Sequence, residues 1–202
     1  MTPIALLLLS IVLDCSTIGA PGHAWREVRY RGRTSFTPAP DSVVGHVHAE
    51  AHDSNSAWFQ RIDRPAAGRL SWRWRVLRQP LGADTRTRRA DDRAAAVLVL
   101  TERSVLPWRA RGILYQWAAG GDTAVWRASP YAPGIRVITL CREPASGTWR
   151  EESRDLRADM LAAFGNATAR VAAIGILCDA DDTHDLSVAE FSSLTLDIAS
   201  QP

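Results

Sequence analysis

Residues 178–185 read "CDADDTHD", four carboxylates around a threonine and a histidine, directly after the apolar run "VAAIGIL". Clustered carboxylates do three kinds of chemistry: they hold a hard cation, they work as an acid and base pair, or they pair with arginines and water. An EF-hand loop would start at Asp179 and end at Glu190, but its sixth position is His184 where that loop needs glycine, and a strand pattern follows. The candidates for a structural calcium are Asp179, Asp181 and Asp182. Pairing with an arginine such as Arg154, or solvation, is the competing reading. In either case Asp179 and Asp182 are expected to hold the loop rather than to react.

A second acidic site precedes another apolar run. "DTRTRRADDR" (84–93) interleaves acids and arginines ahead of "AAAVLVL", so Asp91 and Asp92 are candidate ligand-binding carboxylates at a sheet rim. The arginines there are expected to form exposed pairs, which contribute about 0–1 kcal/mol each. "HVHAEAH" puts His46, His48, Glu50 and His52 in alternate positions, a spacing that suits a zinc site once further ligands converge; the plainer reading is a polar sheet face. Eight tryptophans suggest stacking platforms for sugar rings. The platform candidates near turns are Trp108, Trp126, Trp149 and Tyr131. Trp72, Trp74 and Trp117 lie on apolar faces and are expected in the core. A glycosidase needs two carboxyl groups about 5–10 Å apart across a cleft, and Glu151, Glu152, Asp155 and Asp159 supply candidates. No G-x-S-x-G, HExxH or phosphate loop is present.

The elements that position these residues are mostly strands. "RLSWRWRVL" (69–77) alternates Leu70, Trp72, Trp74 and Val76 with Ser71, Arg73 and Arg75, and period-two alternation marks a half-buried strand. "VVGHVHAEA" (43–51) alternates likewise. "AAAVLVL" (94–100) is apolar on both faces, as a central strand is. "GILYQW", "IRVITLC", "VAAIGILC" and "AEFSSLTLDI" continue the series between turn-forming stretches. One amphipathic helix is expected at about 153–165, with Ser153 as N-cap, Leu156, Met160 and Phe164 on one face, and Gly165 as its stop. The pattern predicts an all-β, antiparallel sandwich of jelly-roll type.

Composition bounds the rest. The formal charge of +2 over 202 residues, with every basic residue an arginine, gives no nucleic-acid footprint. Residues 1–24 read as a signal peptide, its apolar stretch from Ile4 to Leu13 too short to span a bilayer, with cleavage after Ala20 or Ala24. Residues 25–202 then form one domain, secreted or periplasmic, with no transmembrane segment in the mature chain. Cys15 as a lipid anchor is the alternative. Cys141 and Cys178 would remain, either as a disulfide or as two buried thiols.

The stretches "LSWRWRV", "ADDRAAAVLVL", "ILYQW", "SPY", "W-x-E-x-x-RDLRADMLAAFG" and "IGILCDADDT", in that order, resemble a family of secreted bacterial proteins, domain of unknown function 3047. They cover roughly Trp58 to Ile198. The pattern is more distantly similar to jelly-roll carbohydrate-binding modules. Two positions depart from it: Ala96 stands where an arginine is expected, and "DADDT" where the family reads closer to "DTDNT". The resemblance implies no known activity. With the aromatic and acidic candidates, it leads to the expectation of a non-catalytic binding module with the candidate site Asp91, Asp92, Trp126, Tyr131, Trp149 and Arg154, taking a glycan or another envelope component. A carboxylate-dependent glycan hydrolase is the alternative.

Overall fold

The computed structural model describes residues 8–39, 45–102, 109–119, 123–166 and 170–199. Among them are fourteen strands in two sheets and one α-helix, the sandwich that the alternating patterns predict. The first sheet has the order β1 (Leu8–Leu13), β14 (Leu194–Ala199), β6 (Gly68–Arg78), β13 (Leu186–Phe191), β4 (Val47–His52), β3 (Ser35–Pro38), with β11 (Arg150–Asp155) on the other side of β6. The second sheet, which curls, has the order β2 (Trp25–Arg31), β5 (Asn55–Pro65), β12 (Arg170–Asp179), β7 (Ala95–Glu102), β8 (Arg111–Trp117), β10 (Ile135–Cys141), β9 (Arg127–Ala128). The pairing is antiparallel except for β8 and β10, which run parallel.

The core lies between the sheets. Leu70, Trp72, Trp74 and Val76 on β6 are at most 2% exposed and meet Val97, Val99, Tyr115, Trp117, Ile174 and Ile176. The tryptophans expected inside are inside, packed edge to face: Trp72 on Trp74 at 5.3 Å, Trp74 on Trp117 at 6.2 Å. Such pairs add to the burial of their rings. Val47, Ala49 and Ala51 face this core from β4, while His48 and Glu50 point outward. Cys141 and Cys178 are separate thiols. Cys178 is fully buried and burial pushes its thiol up to about 12.

The helix is shorter than its sequence pattern. α1 spans Leu156–Phe164, and residues 153–155 instead continue β11 against β6. The N-cap is therefore Asp155, whose carboxylate accepts from the Ala158 N–H, and not Ser153. Gly165 closes the helix in the left-handed conformation, as expected. Leu156 and Met160 are fully buried; Phe164 is half-buried beneath the guanidinium groups of Arg111 and Arg136.

Part of the segment that reads as the export signal also takes a defined place. Leu8–Leu13 pairs with β14, Leu13 and Cys15 are fully buried, and the Trp25 indole donates to the Asp14 carbonyl at 2.9 Å. Removal of residues 1–24 would leave β14 as a sheet edge.

Replacing Trp74 with alanine is expected to cost about 3–5 kcal/mol, read as a fall in the denaturant midpoint at unchanged slope. An unchanged midpoint would contradict the placement of this ring between the sheets.

Candidate functional site

The second sheet is apolar on both faces. Cross-strand register puts three rows of side chains on its outer, concave face: Arg61, Ala173, Leu100, Gly112 and Ile135; then Arg26, Phe59, Gly175, Leu98, Leu114 and Val137; then Val28, Ala57, Leu177, Ala96, Gln116 and Thr139. Partners in register point to the same side of a sheet, so the second row is apolar from β5 to β10 and the third from β2 to β7, where Gln116 and Thr139 continue it with polar groups. Gly175 is required at the centre. A Cβ there would meet the Phe59 ring at 2.4 Å, so the ring lies over the glycine and forms the floor. Over these rows runs a cleft of about 970 Å³.

One end of the cleft is charged. Asn55 and Asp179 continue the register beyond the third row, and the segment preceding β7 brings Asp91 and Arg93 beside them. Asp91, Asp92, Arg93 and Asp179 are 2%, 0%, 6% and 2% exposed. Buried charge survives only when it is paired. Arg93 meets Asp91 at 2.5 Å, and Arg127 stands 3.8 Å from the other Asp91 oxygen. Burial works against the charge on Arg93, but Asp91 and Asp179 overcome it and hold the guanidinium protonated. Burial pushes the Asp179 carboxyl well above the usual carboxylate range despite Arg93, with the neighbouring Asp181 and Asp92 adding to the rise. Asp182 is raised by the same causes, burial first, against the Tyr131 hydrogen bond.

Asp92 is the clasp between the two acidic stretches. Its carboxylate accepts from the N–H groups of Asp182 (3.0 Å) and Thr183 (2.7 Å) and from the Thr183 hydroxyl. The Tyr131 hydroxyl sits 2.6 Å from Asp182 and 2.7 Å from the Arg88 carbonyl, with the Arg88 guanidinium over its ring. Asp181 accepts from the Asn55 amide at 3.2 Å, and its carbonyl accepts from Arg31. His184 pairs with Asp53, and Asp185 with Arg78.

Of the residues singled out from sequence, Asp91, Asp92, Tyr131, Asp179, Asp181 and Asp182 converge at this end. Three others stand elsewhere. Trp126 is half-buried against Tyr115, on the core side. Trp149 lies on the outside of the first sheet between the His46 ring and the Arg75 guanidinium. Arg154, expected to answer the acidic loop, is spent on Asp159 at 2.6 Å, whose carboxylate also accepts from the buried Tyr115 hydroxyl. The arginines that serve the loop are Arg93, Arg31 and Arg78. Trp108 lies outside the described residues. Of the strand histidines, His48 meets Glu190 at 3.1 Å and His52 meets Glu50, while His46 packs on Trp149 beside Arg73.

The glycosidase candidates scatter. Asp155 caps the helix, Asp159 holds Arg154, and Glu152 faces Trp72 across β11 and β6. At the cleft end, oxygens of Asp92, Asp181 and Asp182 lie within 4.8 Å of one another. Asn55 and the leucine floor were not singled out from sequence; the signal for the floor was present in the two-faced apolar strands. The arginines of the 84–93 stretch were expected in exposed pairs with its acids; Arg93 does pair with Asp91, but buried. Ala96, where an arginine is expected, is fully buried on the second sheet.

The family model for proteins of unknown function, DUF3047, matches residues 23–195. No curated protein matches the chain significantly. Among solved structures, the chain is similar to the K1 cleaved adhesin domain of Lys-gingipain from Porphyromonas gingivalis W83, at 14% identity and TM-score 0.46, over 96% of this chain and 99% of that one. It is also similar to the family 11 xylanase from Neocallimastix patriciarum, at 8% identity and TM-score 0.42, over 94% and 96%.

Replacing Asp92 with alanine is expected to free the 180–185 loop. Removing a buried charged acceptor costs about 1.5–3 kcal/mol per hydrogen bond. Hydrogen exchange at the Asp182 and Thr183 amides should speed up while β12 amides keep their protection. Unchanged exchange at both amides would contradict the clasp.

Proposed function

The chain belongs to the DUF3047 family of proteins of unknown function, and from that premise and the shape of the cleft we propose that it is a non-catalytic binding module for an envelope component with an apolar body and a polar head. The observation that supports this is the concave face: an apolar floor of Phe59, Leu98, Leu114 and Leu177 continuous with a charged end at Asp91, Arg93 and Asp179. A sugar platform takes flat, open aromatic rings. Here the floor is aliphatic with a single phenylalanine, which favours an amphiphile over a free glycan. The body would lie along the leucine rows and the head against the carboxylates, Asn55 and Tyr131. Ligand sites of this volume combine an apolar lining with a few fixed polar groups.

A carboxylate-dependent hydrolase is the second reading, and one observation favours it: burial, with Asp181 and Asp92 alongside, raises the Asp179 carboxyl above the usual carboxylate range at a cleft wall. Clustering of the carboxylates at one end, with Asp92 committed to the loop backbone, weighs for binding.

Calorimetric titration with a series of single-chain amphiphiles of increasing length, below their micelle concentrations, tests the reading. Each added methylene is expected to tighten binding by about 0.8 kcal/mol, roughly fourfold, until the floor is covered. Leu98→Gln should abolish this dependence while the thermal midpoint confirms folding. Affinity indifferent to chain length, or tight binding of oligosaccharides that Leu98→Gln leaves intact, would contradict it.

A further inference from the structure

The charged end of the cleft carries more negative than positive charge. Five carboxyl groups, Asp91, Asp92, Asp179, Asp181 and Asp182, gather there. Arg93 and Arg127 answer Asp91, and Arg93 also faces Asp179. Among the described residues no cationic side chain pairs with Asp181 or Asp182; their carboxylates take only the Asn55 amide and the Tyr131 hydroxyl. Surface acids without partners are ordinary, and the cluster alone would mean little. The second observation is Asp179. Its side chain is almost wholly buried, one of its oxygens, Oδ1, has no hydrogen-bond partner, and it contacts Asp181. A buried carboxyl oxygen left without a donor is costly; here it stands behind the open carboxylates.

We propose that Asp92, Asp181 and Asp182, backed by the unpartnered Asp179 oxygen, bind one calcium ion that ties the 179–185 loop to the segment before β7 and completes the polar end of the cleft. The spacing suits one ion. Calcium takes oxygens at about 2.3–2.6 Å, so ligands around it lie up to about 5 Å apart, and the three carboxylates each offer an oxygen within 4.8 Å of the others. The directions of Asp92 and Asp182 are already set by the Asp182 and Thr183 amides and by Tyr131. That favours an ion tolerant of irregular geometry over magnesium, which demands an octahedron. The proposal deepens the binding reading, because the ion would present a positive centre to a ligand's head.

The test is the thermal midpoint of the purified protein, titrated with calcium chloride and with a calcium chelator, alongside luminescence of terbium bound in calcium's place. A ligand that binds only the folded state raises the midpoint. Calcium should raise it by several degrees, chelator should reverse the rise, and terbium emission should saturate at one ion and be displaced by calcium. Asp181→Asn, which disturbs the Asn55 and Asp179 contacts, should lose at least tenfold in calcium affinity, and Asp182→Asn should do the same. Ion binding and amphiphile binding are titrated separately on the same protein, so that failure of the cleft reading and failure of the ion site give different results. A midpoint indifferent to calcium and chelator, the same rise with sodium chloride at equal ionic strength, or an unchanged response in both asparagine variants would overturn the proposal.

Discussion

A two-layer sandwich covers one face of each sheet, yet four adjacent strands of the second sheet are apolar on both. β5, β12, β7 and β8 send Trp58, Ile176, Val97 and Tyr115 into the core and Phe59, Leu177, Leu98 and Leu114 to the other side. These outward side chains are at most 9% exposed: they pack into a second apolar cluster and line the bottom of a cleft rather than an open surface. Curling the sheet turns a flat apolar face into that cleft. Gly175, the Phe59 ring over it and the small Ala173 line that face.

The charged end depends on the same curvature. The sheet brings the end of β12 close to the segment before β7, so that two acidic stretches ninety residues apart share one carboxylate clasp at Asp92. Arg93 then sits between Asp91 and Asp179, buried with both. Tyr131 closes the group from the β9–β10 connection through Asp182. The 179–185 loop is not the frayed end of a strand. It is held at almost every residue, by Asp92, Asn55, Arg31, Asp53 and Arg78, and Asp179 and Asp181 line the cleft.

Much of this was legible in sequence, for definite reasons. Period-two alternation on β6 identified the tryptophan face, because every other residue there is an arginine or serine. The two acidic stretches stood out because carboxylates rarely crowd without compensation. The partner of the loop did not: Arg154 is near it in type but pairs with Asp159 and Tyr115, a contact set by how β11 lies on β6. The helix began late for the same reason, since pairing with β6 outcompeted the helical propensity of 153–155. The apolar second face of "AAAVLVL" read as a central strand. A sequence cannot show whether the second face of such a strand is covered by another layer or left open as a site.

The most direct test of the account is methyl NMR of the protein titrated with a single-chain amphiphile below its micelle concentration. If the concave face is the binding site, shifts should be confined to Leu98, Leu114, Leu177 and Ile135, with Leu70, Leu196 and Ile176 in the core unmoved. Shifts that spare the concave methyls, or that spread equally over core and surface, would contradict it.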